Sequence, residues 1–221
     1  NKNIPQGGPS RFARIFTDYF SQKNNVHLIS FFFSHNTENQ DIFSRKIISK
    51  KQHDFYELCY PVDQLRNIYR SNFTKKQCLQ FLAPWINEIE KKFIEIQPDI
   101  LFLNGYSLSN YLLFYVANKN NIPTVIQHAG VWKKEIKNSG NTFSQNMQRI
   151  FSSFEKDLTS GNTYHIFLNE FSKQVFCDLH NITKLTNQNS IIPLPVSLER
   201  PKIFKAKNVK KNRNYCSLGR Y

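Results

Sequence analysis

Short apolar runs alternate along the chain with stretches in which apolar residues recur every three or four positions. Phe12, Ile15, Phe16, Tyr19 and Phe20 form such a helical stripe behind Gly7-Gly8-Pro9-Ser10. Val26–Phe33 reads as the first strand and Phe55–Tyr60 as a short second one. Cys78, Phe81, Leu82, Trp85, Ile89, Phe93 and Ile96 predict one long amphipathic helix. Ile100–Leu103 is a strand, and Leu108, Leu112, Tyr115 and Val116 return to helical spacing. Asn120-Asn121-Ile122-Pro123 ends that helix, and Thr124–Ile126 is the next strand. Met147, Ile150, Phe151, Phe154 and Leu158 mark a further helix face. Tyr164–Leu168 is a strand, Ser172–Leu179 a helix and Ser190–Leu194 a strand.

This alternation predicts an α/β domain, doubly wound around a mostly parallel sheet. The segment from Ile100 to His128 carries the most information. Two apolar strands joined by one helix must be parallel, because a crossover of that length cannot make a hairpin. In such sheets ligands bind beyond the carboxyl ends of the strands. Asn104-Gly105 follows one strand there, and Gln127-His128-Ala129-Gly130 follows the other. Both ends of the chain read as incomplete. Only six residues precede Gly7, where a first strand is expected. At the far end a basic stretch from Lys202 to Arg213 leads to a new strand at Asn214–Leu218. The expected organisation is an amino-terminal domain over residues 1–197, a linker over 198–213, and the start of a second domain over 214–221.

The chain has 221 residues, enough for one α/β domain with a full core. A formal charge of +14 suggests an acidic partner: nucleic acid, a phosphorylated substrate or an anionic membrane surface. Much of it is lysine in a composition rich in Asn, Lys and Phe, which weakens that inference. Cys59, Cys78, Cys177 and Cys216 have neither zinc-ligand nor redox spacing, and read as reduced thiols of a cytoplasmic protein. His27, His35, His53, His165 and His180 form no ligand spacing, so no metal is expected. Neither a nucleophile-elbow serine nor a phosphate-binding P-loop pattern is present.

Four blocks together resemble one family. They are Gln6-Gly7-Gly8-Pro9-Ser10-Arg11-Phe12-Ala13, Pro98-Asp99-Ile100-Leu101-Phe102-Leu103-Asn104, Ile122–Trp132 around His128, and Ile191–Ser197 with Ser217-Leu218-Gly219-Arg220-Tyr221. In this order they resemble the Gly-Gly loop, the "pDvvh.n" strand, the "iPvv.t.Hg" turn and the interdomain crossing of retaining GT-B glycosyltransferases, group 1, family 4. The chain departs from that pattern where Pro195-Val196-Ser197 replaces the usual Gly-Val-Asp.

The resemblance implies the amino-terminal, acceptor-side half of a GT-B fold. It implies sugar transfer from a nucleotide-sugar donor to a glycan or lipid-linked acceptor, with retention, without metal or other cofactor, in cell-surface polysaccharide biosynthesis. It places His128 beside the donor sugar, facing the cleft, as the catalytic residue. Unobstructed backbone N–H groups at Gly7 and Gly8 suit donor phosphates. Arg11, Asn104, Gly105, Gly130 and Glu135 are candidate acceptor or substrate contacts. Some of these have a plainer reading: Gly-Gly as a turn, His128 as a core histidine, Arg11 on an exposed helix face, Glu135 as a solvated partner of Lys133 and Lys134. The charge suggests peripheral contact with an anionic membrane at its inner face. Two alternatives are a basic nucleic-acid-binding α/β module, disfavoured because the phenylalanines fall on core faces, and a GT-B-type sugar-nucleotide epimerase.

Overall fold

The computed structural model describes residues 16, 17, 19–34, 44–46, 53–128, 130, 131, 133, 134, 143–160, 162–183, 185 and 189–193. Phe16, Thr17, Tyr19 and Phe20 are helical. The strands are β1 (Val26–Ser34), β2 (Ser44–Lys46), β3 (His53–Pro61), β4 (Leu101–Asn104), β5 (Thr124–His128), β6 (Thr163–Phe167) and β7 (Asn189–Ile191). The helices are α1 (Val62–Arg70), α2 (Lys75–Phe81), α3 (Ala83–Ile96), α4 (Leu108–Lys119), α5 (Gln145–Asp157) and α6 (Glu170–His180).

Among the described residues the strands form two sheets, ordered β1-β3-β2 and β4-β5-β6-β7. The second sheet is wholly parallel. In the first, β1 and β3 run parallel while β2 runs antiparallel to β3. The predicted α/β architecture is therefore present, with a Rossmann-like parallel sheet and crossover helices. The three-residue β2 and the helix α1 are additions to the sequence reading. β3 is also longer than the predicted Phe55–Tyr60.

The single long helix predicted from Cys78 to Ile96 is two helices. Leu82 caps both, and Pro84 opens α3. Proline lacks an N–H and crowds the preceding turn, so it suits the first turn of a helix and not its interior. The bend costs the apolar stripe nothing: Cys78, Leu82, Trp85, Ile89 and Phe93 all remain buried in one core. α2 starts with a capping box, Gln77 N–H donating to Thr74 Oγ1 at 3.2 Å and Thr74 N–H to Gln77 Oε1 at 2.8 Å. α3 ends at Gln97, whose φ of 49° reverses the chain before Pro98.

The main core joins α1–α5 to the sheets through Leu58, Leu103 and Ile126. Trp85, Phe151 and Phe154 are fully buried there, each contributing about 2–3 kcal/mol of apolar transfer. Tyr111 of α4 stacks on Phe154 of α5 with ring centroids 4.0 Å apart. Its hydroxyl donates to Asp157 at 2.8 Å, and Lys75 of α2 reaches the same carboxylate at 2.6 Å. A second, smaller cluster of Val131, Phe167, Phe176 and Leu185 lies under β6 and α6. Thus β5 and β6 sit between two apolar clusters, and the side chains near their carboxyl ends are enclosed.

Candidate functional site

At the carboxyl end of β4 the chain turns through Gly105, whose φ of 79° is left-handed and favours glycine. Gly105 N–H donates to Gln127 O of β5 at 2.9 Å. Asn110, in the first turn of α4, donates from Nδ2 to Gly105 O at 2.8 Å, and Ser107 caps the helix by accepting from Asn110 N–H at 3.1 Å. The start of α4 is thereby locked over the end of β4. Asn104 lies opposite Gln127 in the register, one position before His128. Asn104, Gly105 and His128 thus share one sheet edge, as the sequence predicts, and the half-buried Gly130 follows β5. Gly7, Gly8, Arg11 and Glu135 lie outside the described residues, as do the linker 198–213 and the segment 214–221.

The surroundings of His128 correct one expectation. Its side chain is 1% exposed and does not face an open cleft. Alternation along β5 explains this. Thr124, Ile126 and His128 share one face, and in register with them stand Thr163, His165 and Phe167 of β6. All six side chains are buried. The His128 ring stacks on Phe167 at 4.5 Å and meets Phe176 of α6 at 4.7 Å. Truncating it would therefore leave a void and lower stability.

Histidine 165 is the partner that sequence reading passed over. His128 Nε2 and His165 Nδ1 are 2.9 Å apart. Burial holds His128 well below the usual histidine range, with His165 and His180 adding to the effect. Burial likewise pulls His165 down to about 4, the Leu158 carbonyl acting in the opposite direction. Both rings are consequently neutral at pH 7, and a single proton lies between them. His128 Nδ1 and Gln127 Oε1 are buried without a hydrogen-bond partner.

A second buried polar pair stands behind the first. Glu155 Oε2 lies 2.9 Å from His180 Nε2, and both side chains are enclosed. The same oxygen accepts Lys133 N–H at 2.9 Å. Lys133 Nζ in turn donates to Leu179 O near the end of α6. Lys133 is thus tied at both ends to α5 and α6. Glu155 had a legible signal, four residues after Phe151 and three before Leu158, on the apolar stripe of α5. His165 had one too, alternating with Thr163 and Phe167. Spacing along the chain gave no hint that the two histidines meet.

Among the described residues no group of three or more His, Cys, Asp or Glu is placed to hold a metal ion. Cys78 is a core thiol pushed up to about 12 by burial. Among those residues no helix is long and apolar enough to cross a membrane. The lysines of α3 lie beside carboxylates: Lys91 beside Glu88, Lys92 beside Glu95, and Lys119 of α4 reaching Glu90. Here positive charge is interspersed with negative charge and forms no stripe of one sign.

Neither a protein-family model nor a curated protein matches the sequence. A solved structure does match in fold, described as "Trehalose-6-phosphate from E. coli bound with UDP-2-fluoro glucose". It superposes with a TM-score of 0.56 at 13% sequence identity, over 88% of this chain. The chain spans about half of that neighbour, 47% of its length. The neighbour is a GT-B glycosyltransferase, and this chain has the Rossmann-like α/β architecture of one half of such a fold.

Proposed function

We propose that the chain is the acceptor-side half of a retaining, metal-independent GT-B glycosyltransferase that moves a sugar from a nucleotide donor to a glycan or lipid-linked acceptor. The observation that carries this reading is the fold likeness over 88% of the chain. The neighbour is described with a bound UDP-sugar analogue, which supports a nucleotide sugar as donor here. The carboxyl edge supplies the place, since helix starts and strand ends converge there. His128 is the proposed donor-sugar contact. Its Nδ1 is buried with no hydrogen-bond partner in the protein, and native interiors rarely leave such a group unmatched without a reason. Gly7 and Gly8 are proposed to cradle the donor phosphates, with Arg11, Asn104, Gly105, Gly130 and Glu135 on the substrate side. The charge of +14 supports salt-sensitive, peripheral contact with an anionic membrane.

A second reading has its own support in the 1% exposure of His128. In it, the His128–His165 pair is an internal staple between β5 and β6 and touches no ligand. Ligand-observed saturation-transfer NMR with UDP-glucose and other nucleotide sugars separates the two. The first reading expects saturable binding that weakens roughly tenfold in His128→Gln, which removes one preorganised polar contact. Binding that is unchanged in a folded His128→Gln protein assigns His128 to the staple. Absence of transfer to every nucleotide sugar tested, in folded wild-type protein, refutes the glycosyltransferase reading.

A further inference from the structure

We infer that the seam between α5 and the turn joining α1 to α2 is the face on which the chain meets an anionic lipid surface. The inference rests on the membrane contact in the proposed function and gives that contact a place on the molecule.

The turn lies along α5 and is laced to it. Ser144 N–H donates to Tyr69 O at 2.9 Å, and Ser144 Oγ donates to Ser71 O at 2.7 Å. Ser71 Oγ reaches Met147 Sδ at 3.4 Å, and Asn146 Nδ2 donates to Phe73 O. Lys75, at the start of α2, reaches Ser153 Oγ at 3.0 Å and Asp157 Oδ2 at 2.6 Å. The two stretches so joined are free of acids over most of their length. None lies between Gln64 and Phe81, and none between Phe143 and Phe154. Arg70 ends α1, Lys76 lies in α2, and Arg149 and Lys156 lie on α5. All four side chains are exposed, and among the described residues none of them forms an ion pair. Arg149 stands one helical turn before Ser153, the residue that Lys75 touches. Lys75 is itself matched by Asp157, and Glu155 faces inward to His180. The four exposed charges are therefore not offset on the seam.

The opposite pattern on α3 and α4 makes the contrast, since Lys91, Lys92 and Lys119 each sit beside a glutamate. The large exposed apolar side chains among the described residues are Tyr19, Phe20, Ile94, Ile100, Phe171 and Ile192, and none belongs to the seam. Attraction there is Coulombic, with nothing to insert into hydrocarbon. A bilayer suits such a face. It presents its charge as a plane, and its lipids diffuse to meet fixed cations, so neither a groove nor an anchor is needed. Single-stranded nucleic acid draws instead on stacking aromatics, and no aromatic is exposed on the seam. The position also fits the proposed reaction. α5 leads back from the carboxyl edge to the start of β6, so Arg149 stands toward the edge that carries Asn104 and Gly105. An acceptor held in the lipid surface would be presented on that side.

Co-sedimentation with vesicles tests this, using phosphatidylcholine alone and phosphatidylcholine with about 30% phosphatidylglycerol, at about 50 mM salt. Wild-type protein should bind the anionic vesicles and be released at about 0.5 M salt. Arg70→Gln with Arg149→Gln should lower the partition coefficient about 25-fold, roughly fivefold for each charge removed. Lys91→Gln with Lys119→Gln removes the same charge from the balanced face and should stay within about threefold of wild type. Arg70→Lys with Arg149→Lys keeps the charge and should bind within about twofold. Thermal melting checks that each variant is folded, and wild-type binding alone decides whether charge on the lipid matters. Equal recovery of wild type on neutral and anionic vesicles overturns the inference. So does an equal loss in the two glutamine variants, which would assign the binding to net charge and not to the seam. A short DNA strand that binds wild type more tightly than the vesicles do, and is lost in the Arg70→Gln, Arg149→Gln protein, gives the face to nucleic acid and also overturns it. Seam-dependent vesicle binding in a protein that binds no nucleotide sugar removes the transferase reading and leaves the surface in place. Vesicle binding independent of the seam, with nucleotide-sugar binding intact, removes the surface alone.

Discussion

Replacing Glu155 with alanine should destabilise the protein by about 3–5 kcal/mol, because it leaves two buried donors without an acceptor. The carboxylate is fully buried. One oxygen serves two donors, Lys133 N–H and His180 Nε2, each at 2.9 Å. A hydrogen bond to a charged group contributes about 1.5–3 kcal/mol, and two of them reach the same range. The alanine variant also strands both donors in an enclosed site. In a domain of this size each kcal/mol moves the melting temperature by about 2–4 °C, so the midpoint should fall by roughly 6–20 °C. Glu155→Gln retains one acceptor oxygen and should lose about half as much. The assay is urea and thermal unfolding of both variants at pH 7.5, with a double-mutant cycle against His180→Ala. A Glu155→Ala protein within about 1 kcal/mol of wild type would refute the reasoning. A coupling energy near zero in the cycle would show that the 2.9 Å contact does not stabilise the fold.

Acidification should destabilise the fold between pH 6.5 and about 4. His165 is held near 4 and His128 also below its ordinary value, while both take a proton near 6.5 once unfolded. The unfolded chain then binds more protons below pH 6.5, so this stability is complete above 6.5 and is lost as pH falls, by roughly 3 kcal/mol from His165 alone at pH 4. Urea midpoints at several pH values test it, and His165→Asn should reduce the slope by one proton; a flat wild-type profile sinks the prediction. Gly105→Ala should lose about 1–2 kcal/mol, because φ of 79° forces a Cβ into the left-handed region. Equal denaturant midpoints for wild type and this variant would mean that the turn is not left-handed in solution.

The layers of the fold were legible because burial sets hydrophobic period. The stripes on α3 and α5, and the apolar runs of β1, β4 and β6, each appear with the predicted type. Misses occurred where local pattern was thin. α1 buries Leu65 and Ile68 against the core, too few positions to announce a helix behind β3. β2 has three residues and exists through its antiparallel pairing to β3, a contact that no local period encodes. The stripe from Cys78 to Ile96 was continuous, but Pro84 divided the backbone beneath it, since a stripe reports which side is buried and not whether every hydrogen bond is intact.

The site was legible only along the chain, and its physics runs across the sheet. Position alone puts His128 at the end of β5 and Gly105 at the end of β4, where ligands gather in parallel sheets. What surrounds His128 depends on the pairing of Ile126 with His165 and of His128 with Phe167, set by residues 37 and 39 positions away. With that register, His165 lies diagonally behind His128 on the same face. Shifting it by one residue would send His165 to the opposite face and place Ile166 among the buried groups. The same step would put Thr163 and Phe167 on the wrong side, exposing apolar surface. Apolar burial at Ile126 and Phe167 therefore holds two histidines together, although neither is the reason the strands pair. A cluster so formed can be moved by changing the strands that carry it. For that reason a ring-nitrogen spectrum of the folded protein says more about His128 than any spacing between histidines along the chain.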